Sequence, residues 1–298
     1  MRRFLVTLVL LGLVAVALGL FLTRPRLDGP EVLAGLEADA ARGQQVFTAA
    51  GCASCHMAPE AQGDDRLVLA GGMVFASPFG SFTAPNISQN PDEGIGAWSA
   101  LDLWNALHNG TGREGQHLYP AFPYASYIRM TPQQVVDLDA YLKTLPASDT
   151  PSLPHDLGFP FNIRAALGGW KLLYLKDGWV MAGDLDPELT RGREIVEALA
   201  HCGECHSPRT ALGGMKTGAA WLSGAPNPAG SGNIPDLTPP AMGWSSEELV
   251  EYLTSGFTPE YDMVGGHMAH VVENLAALPE SDRAAVAAYV KALPIGGN

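Results

Sequence analysis

The pentapeptide Cys-x-x-Cys-His occurs twice in this chain, as Cys52-Ala-Ser-Cys55-His56 and as Cys202-Gly-Glu-Cys205-His206, and the two copies hold all 4 cysteines. Two thiols at this spacing can add to the vinyl groups of one porphyrin, while the adjacent histidine offers the iron a proximal nitrogen. Competing readings need residues that are missing from the pattern. A zinc knuckle requires two further Cys or His close to each pair, and a redox dithiol requires a βαβ setting. A disulfide across two intervening residues would close a tight, strained loop and leave the repeated histidine unexplained. The motifs therefore predict two covalently bound haem c groups, one on Cys52 and Cys55, the other on Cys202 and Cys205, with His56 and His206 as iron ligands.

The apolar run Phe4 to Leu22 follows Arg2 and Arg3 and is closed by Thr23, Arg24, Pro25 and Arg26. A secretory signal carries a shorter apolar stretch of about 7–15 residues and a small-residue cleavage site. Ala15-Val16-Ala17 supplies the small residues, yet Leu18 to Leu22 continue the run. About 20 apolar residues match a bilayer's hydrocarbon thickness, which favours an uncleaved anchor over a removed signal. The leading arginines place the N-terminus in the cytoplasm. Either reading exports the remainder, so the expectation is a single-pass protein of the inner membrane with its globular part in the periplasm.

Beyond residue 26 lie all 31 acidic residues and 14 of the 18 basic ones, a formal charge of −17. Such a surface repels nucleic acid and anionic lipid headgroups and would steer a basic redox partner at low salt; plain solubility accounts for it equally well.

An internal repeat divides the exported part. The first copy runs RGQQVFTAAGCASCH around Gly43, Asn86-Ile87, Trp98-Ser99 and TPQQVVDLDAYLKTLP from Thr131 to Pro146. The second runs RGREIVEALAHCGECH around Gly192, Asn233-Ile234, Trp244-Ser245 and PESDRAAVAAYVKALP from Pro279 to Pro294, with differences expected only in loop length. Val135, Leu138, Tyr141 and Leu142 fall at helical spacing, as do Val286, Tyr289, Val290 and Leu293. Leu101, Leu103, Trp104 and Leu107 predict a further helix opened by Ser99, and Ser245 with Glu248 a capping box on its counterpart. The expected fold is all-α and loop-rich, with an N-terminal transmembrane helix and two tandem domains. Its divisions are an anchor at 1–26, a first domain at 27–148, a connector at 149–184 and a second domain at 185–298. The connector is rich in aromatic and aliphatic residues, including Phe159, Phe161, Trp170, Leu172, Leu173 and Trp179. A bare linker would be polar, so it is expected to pack along both domains; contact of its aromatic face with a membrane or a partner subunit is the alternative.

The stretches HLYPAFPYASY (His117 to Tyr127), GIGAWS (Gly94 to Ser99), FPFNIR (Phe159 to Arg164) and MAHVV (Met268 to Val272) resemble the cytochrome c subunits of membrane-bound periplasmic alcohol, aldehyde and sugar-acid dehydrogenases. Those subunits usually hold three haem domains of the class I cytochrome c type, whereas this chain has two motifs. The resemblance implies class I domains and an electron-carrying role without implying a particular dehydrogenase. It also implies that Pro208 and Arg209 brace the proximal histidine and meet a propionate, and that Trp98, Trp244, Asn86 and Asn233 are placed for haem contacts, with ordinary loop packing the competing role for each.

Methionine is the usual second axial ligand in this class, and its thioether raises the reduction potential. Met268 matches the family motif and is expected in a loop before the final helix, ahead of Met215, Met242 and Met263. Counting the 24 residues between Trp244 and Met268 onward from Trp98 reaches Phe122, which has no donor atom. Met130, just before the last helix of the first domain, is the expected ligand there; His117 is the next candidate and a ligand-free iron the third.

The sequence thus predicts a membrane-tethered dihaem cytochrome c that passes single electrons between a dehydrogenase or quinol-oxidising complex and a terminal acceptor such as an oxidase. The competing expectation is a dihaem oxidoreductase, similar to thiosulfate dehydrogenases or peroxidases, with an open or unusually ligated first haem and His117 and Glu114 as acid or base. A small-ligand sensor or a purely structural subunit is the third class.

Overall fold

The computed structural model describes residues 1–228, 230 and 232–293; positions 294–298 of the expected second domain, Pro294 among them, lie outside the described residues. Helix α1 (Arg2–Leu22) is exposed along its whole length and has a mean hydropathy of 2.9 in its apolar window. Its 21 residues extend about 30 Å. It is the one helix among the described residues long and apolar enough to cross a membrane.

The first half contains α2 (Ala40–Ala50), α3 (Cys52–His56), α4 (Ala100–Asn109), α5 (Tyr124–Tyr127) and α6 (Pro132–Leu142). Asp39 caps α2 by accepting from Ala41 and Arg42 N–H, and Thr131 and Gln134 form a capping box on α6 with Pro132 in its first turn. Ser99 and Asp102 box the start of α4. Helices α2 and α6 cross where Gly43 meets α6, because a Cβ on Gly43 would stand 1.9 Å from the Asp137 carbonyl oxygen. Phe47 packs on Tyr141 with ring centroids 5.1 Å apart, and Val135, Leu138 and Leu142 are buried as their spacing predicts.

This half also holds strands β1 (Val74–Ser77) and β2 (Gly80–Thr83), which pair antiparallel with Ser77 opposite Gly80. The connector adds β3 (Asp156–Leu157) to the β2 edge and then forms α7 (Leu167–Tyr174). The sheet departs from the purely helical expectation. Its strands are four residues or fewer and lie among glycines and prolines, too short for their alternation to register as a period.

The second half contains α8 (Pro187–Arg193), α9 (Gly203–His206), the short pair β4 (Ala225–Pro226) and β5 (Asn233–Ile234), α10 (Pro239–Met242), α11 (Ser246–Ser255), α12 (His267–Ala276) and α13 (Glu280–Lys291). The Ser245–Glu248 capping box opens α11. Gly192 repeats the role of Gly43, with its absent Cβ 2.1 Å from the Ala285 carbonyl oxygen.

The halves differ by more than loops. Gly43 stands 9 residues before Cys52, but Gly192 stands 10 before Cys202. The extra residue is absorbed as a π-helical segment, Glu194–Leu199, running on from α8. The wider turn carries Glu197 into the core, where it has no exposed surface.

The connector lies along both halves. Towards the first, His155 Nδ1 accepts from Thr83 N–H at 3.2 Å, and Lys171 Nζ donates to the Asn109 and Gly110 carbonyls at 2.8 and 2.6 Å. Towards the second, Trp170 Nε1 donates to the Leu212 carbonyl at 3.0 Å, and Val180 and Met181 N–H donate to Glu197 at 2.5 and 2.8 Å.

Candidate haem centres

Each Cys-x-x-Cys-His motif forms a short helix directly after the first long helix of its half, so the thiols and the imidazole emerge from one turn. His56 Nδ1 lies 2.8 Å from the Pro85 carbonyl oxygen, and His206 Nδ1 lies 2.8 Å from that of Pro235, 29 residues downstream in both cases. A carbonyl only accepts, so Nδ1 carries the proton in both rings and Nε2 keeps its lone pair. Burial lowers both imidazole pKa values against the opposing pull of the proline carbonyl, which keeps the rings neutral at pH 7. Neutral, oriented imidazoles are what iron ligation requires.

The backbone of each histidine is fixed in the same way. Gly71 N–H donates to the His56 carbonyl at 2.7 Å, and Gly224 N–H to the His206 carbonyl at 2.8 Å. Ile87 N–H bonds the Leu69 carbonyl and Leu237 N–H that of Leu222; Leu69 and Leu222 are both fully buried with positive φ. These bonds pair Pro85-Asn86-Ile87 with Pro235-Asp236-Leu237, not with Asn233-Ile234. Asn86 and Asp236 also share a side-chain role, each accepting from the N–H two residues on, of Ser88 and Thr238. The sequence comparison slipped by three residues here, because Asn233-Ile234 repeats the dipeptide Asn86-Ile87, whereas the loop before Leu222 is three residues longer than that before Leu69 and the loop after it three shorter. The side chains of Pro85 and Pro235 offer no donor pattern, so sequence reasoning missed both. A shared proline 29 residues past each motif histidine was the available signal.

The residues expected on the distal sides lie in different surroundings. Met268 occupies the first turn of α12, half-buried against the core, rather than the loop expected for it. Met130 is 3 % exposed, packed in the core between α5 and Thr131. Phe122 packs against Tyr124 and Tyr127. His117 places Nε2 2.9 Å from the Thr23 carbonyl, which makes Nε2 the protonated nitrogen; its Nδ1 is buried with no partner among the described residues. Glu114 is exposed. The expected acid–base pair is thus divided between a buried ring turned to the end of α1 and a solvated carboxylate.

The remaining candidates fall in varied places. Arg209 braces α9, donating to the Glu204 carbonyl and pairing with its carboxylate at 2.6 Å, and Pro208 accepts from Lys216 N–H through its carbonyl. Arg209 also lines a cleft of about 590 Å³ between the connector and both halves, with Arg129, Glu204 and Trp179. Trp98 and Trp244 are half-buried beside the caps of α4 and α11, with Trp244 edge-on to Tyr252. Asn86 is committed to the connector, donating to the Ser148 and Thr150 carbonyls, and Asn233 lies on the surface strand β5.

The two motifs meet across a pseudo-twofold contact. Asn274 Nδ2 on α12 donates to Ser54 Oγ at 2.9 Å, and Ser126 Oγ on α5 donates to Glu204 Oε1 at 3.2 Å. Ser54 and Glu204 hold the same motif position, while Asn274 and Ser126 each stand six residues before the last helix of their half. Arg66 and Glu273 add an ion pair at 2.9 Å, and Tyr127 sets its ring 5.5 Å from His201. Burial pushes the Cys55 thiol up to about 11, and the Cys205 thiol adds to that shift, so the motifs lie within electrostatic reach of each other.

The chemistry of the donor set, two thiols and one Nδ1-anchored histidine per half, fits covalent haem c in both. Residues 40–146 match the cytochrome c family model. The chain is 54% identical over 294 residues to a dihaem cytochrome c-type protein of Cereibacter sphaeroides, covering 99% of each. It is 38% identical over 261 residues to the fructose dehydrogenase cytochrome subunit of Gluconobacter japonicus, and 32% identical over 268 residues to the cytochrome c subunit of the quinone alcohol dehydrogenase of Gluconacetobacter polyoxogenes. Each alignment takes in 85% of this chain, which spans about half of those two subunits, 52% and 55%. With two equivalent proximal frames and a relative matched end to end, the chain belongs to the dihaem c-type cytochromes and carries two haem c groups.

Proposed function

We propose that this protein is a membrane-tethered electron carrier of two tandem class I haem domains, one on each side of the connector. It moves single electrons on the periplasmic face of the inner membrane, from a dehydrogenase or quinol-oxidising complex to a terminal acceptor. The observation that carries the reading is the pseudo-twofold contact. Helix α12, which bears Met268, touches the motif helix of the first half, and α5, which precedes Met130, touches that of the second. Each haem's distal element therefore leans on the other haem's attachment helix, an arrangement suited to electron exchange between the haems.

Haem c supplies reversible one-electron chemistry when bound. The chain's own residues hold each imidazole through a proline carbonyl, keep the attachment helices in register and exclude water with Leu69, Leu222, Tyr127 and the α2–α6 and α8–α13 cores. We assign Met268 as the sixth ligand of the second haem and Met130 as that of the first. Thioether ligation at both irons leaves no position for a substrate, which is what a carrier needs. One observation favours the second reading, an oxidoreductase with an open first haem: Phe122 stands where Met268 has its donor.

Carbon monoxide added to the reduced protein at neutral pH tests the choice. A carrier with two occupied sixth positions binds none, whereas fast binding at one haem makes the first half a substrate or sensor site.

A further inference from the structure

The end of α1 is built into the globular body. The Thr23 carbonyl accepts from His117 Nε2 at 2.9 Å, and a Cβ on Gly168 would stand 2.0 Å from that same oxygen. The first turn of α7 therefore touches the point where α1 ends. Arg164 ties the preceding segment to the same place, donating to the His117 carbonyl at 2.8 Å.

From this point the connector exposes an apolar run. Phe159 is 81% exposed, Leu172 and Leu173 58% each, and Phe161 and Ile163 43% and 45%. Three neighbouring side chains of α7 are occupied by the protein: Trp170 lies against Tyr124 and Tyr174, Lys171 serves the carbonyls that end α4, and Tyr174 accepts from Thr210 Oγ1. Leu172 and Leu173 are left facing outward. At about 1.5 Å of rise per residue they lie roughly 6–8 Å along α7 from Gly168, and so near the end of α1.

Charge marks the same segment. The chain has 31 acidic residues, yet none falls between Gly158 and Lys176, where Arg164, Lys171 and Lys176 stand. Lys171 is turned inward, and burial lowers it to about 8, so the exposed cations are Arg164 and Lys176, joined by Arg24 and Arg26 at the end of α1. Exposed aromatic and aliphatic groups flanked by Arg and Lys are the composition of a surface that enters the headgroup zone of an anionic bilayer.

We propose that residues 159–176 form a second membrane contact, in which Phe159, Phe161, Ile163, Leu172 and Leu173 enter the interfacial layer of an anionic bilayer beside the exit of α1. The inference rests on α1 spanning that bilayer. Two attachments joined rigidly at Thr23 and Gly168 hold the body at a fixed tilt, so both haems keep a set height and angle above the lipid. A membrane-bound donor would then meet the same haem edge at each encounter.

The test uses the full haem-loaded chain in vesicles of phosphatidylcholine with a minority of phosphatidylglycerol, doped with a phospholipid carrying a diazirine high on its acyl chain. After photolysis, labelled peptides are read by mass spectrometry. The expected result is labelling of both α1 and 159–173. The variant Phe159→Ser/Leu172→Ser/Leu173→Ser should lose the connector labelling several-fold while keeping the α1 labelling and the wild-type haem spectrum. Labelled α1 with an unlabelled connector overturns the proposal, leaves the anchor standing and makes a partner subunit the occupant of that face. Unlabelled α1 overturns the anchor and the proposal together. Connector labelling that is equal in vesicles lacking phosphatidylglycerol overturns the role given to Arg164 and Lys176.

Discussion

Removing the Glu197 carboxylate should release the joint between the two halves and the connector. Glu197 is fully buried and accepts from Val180 N–H at 2.5 Å, Met181 N–H at 2.8 Å and Tyr289 O–H at 2.7 Å, with the Arg129 guanidinium of the first half 3.9 Å away. The Arg129 side chain is itself only 5 % exposed. In Glu197→Ala, two backbone donors, a hydroxyl and a cation lose their buried acceptor, and breaking such a pair from one side costs about 3–5 kcal/mol. At about 1.4 kcal/mol per tenfold, that is roughly a hundredfold to a few thousandfold in the folding equilibrium. Glu197→Gln keeps one acceptor oxygen but turns an NH₂ towards a backbone N–H and removes the charge opposite Arg129, a loss of about 1–3 kcal/mol. Urea unfolding of the haem-loaded protein, followed by circular dichroism and by the haem ligation bands, should rank wild type above Gln above Ala at similar m values. An Ala variant within about 1 kcal/mol of wild type, or less costly than Gln, would refute the argument that Glu197 is the shared acceptor.

Gly43→Ala and Gly192→Ala push a methyl group into a helix carbonyl, and each should cost at least about 1–3 kcal/mol in unfolding experiments, with no new ligand at iron. Met268→Ala should turn the second haem high-spin and lower its potential, and Met130→Ala should do the same to the first; an unchanged thioether-ligated spectrum in either variant removes that residue as a ligand. Burial pulls the Asp28 carboxyl up, but hydrogen bonds from Trp104 Nε1 and Asn109 Nδ2, both 2.9 Å, outweigh it, so its pKa is lowered from 3.8. The stabilisation it gives is complete above the unfolded-state pKa and fades as pH falls through the lower folded value. Acid titration of Trp104 fluorescence or exchange should therefore show a transition below about pH 4 that Asp28→Asn abolishes.

The parts of this fold that were legible are those written in side chains. Cys-x-x-Cys-His marked both haems, helical spacing marked α4, α6 and α13, and Ser99 and the Ser245–Glu248 capping box marked the starts of α4 and α11. What escaped was written in the backbone. Pro85 and Pro235 act through carbonyl oxygens, which any residue possesses, and Leu69 and Leu222 act through a conformation. Local coincidences also misled the comparison of the halves: the recurring Asn-Ile dipeptide set Asn233 opposite Asn86, and one added residue became a π turn inside a helix read as equivalent to α2. Met268 was placed in a loop because its glycine-flanked motif conceals the start of α12. Nor could sequence show that α12 and α5 each reach across to the other half's motif, since Asn274 and Ser54 are 220 residues apart.

The proposed carrier holds two adjacent low-spin haems, each with a proline-anchored histidine on one side and a methionine on the other. An optical redox titration of the purified protein, with low-temperature EPR at each poise, tests this most directly. The prediction is two one-electron waves, two low-spin ferric signals with thioether ligation, and a spin–spin interaction between them in the fully oxidised state. A high-spin or bis-nitrogen signal at the first haem, or two signals that are magnetically independent, would contradict it.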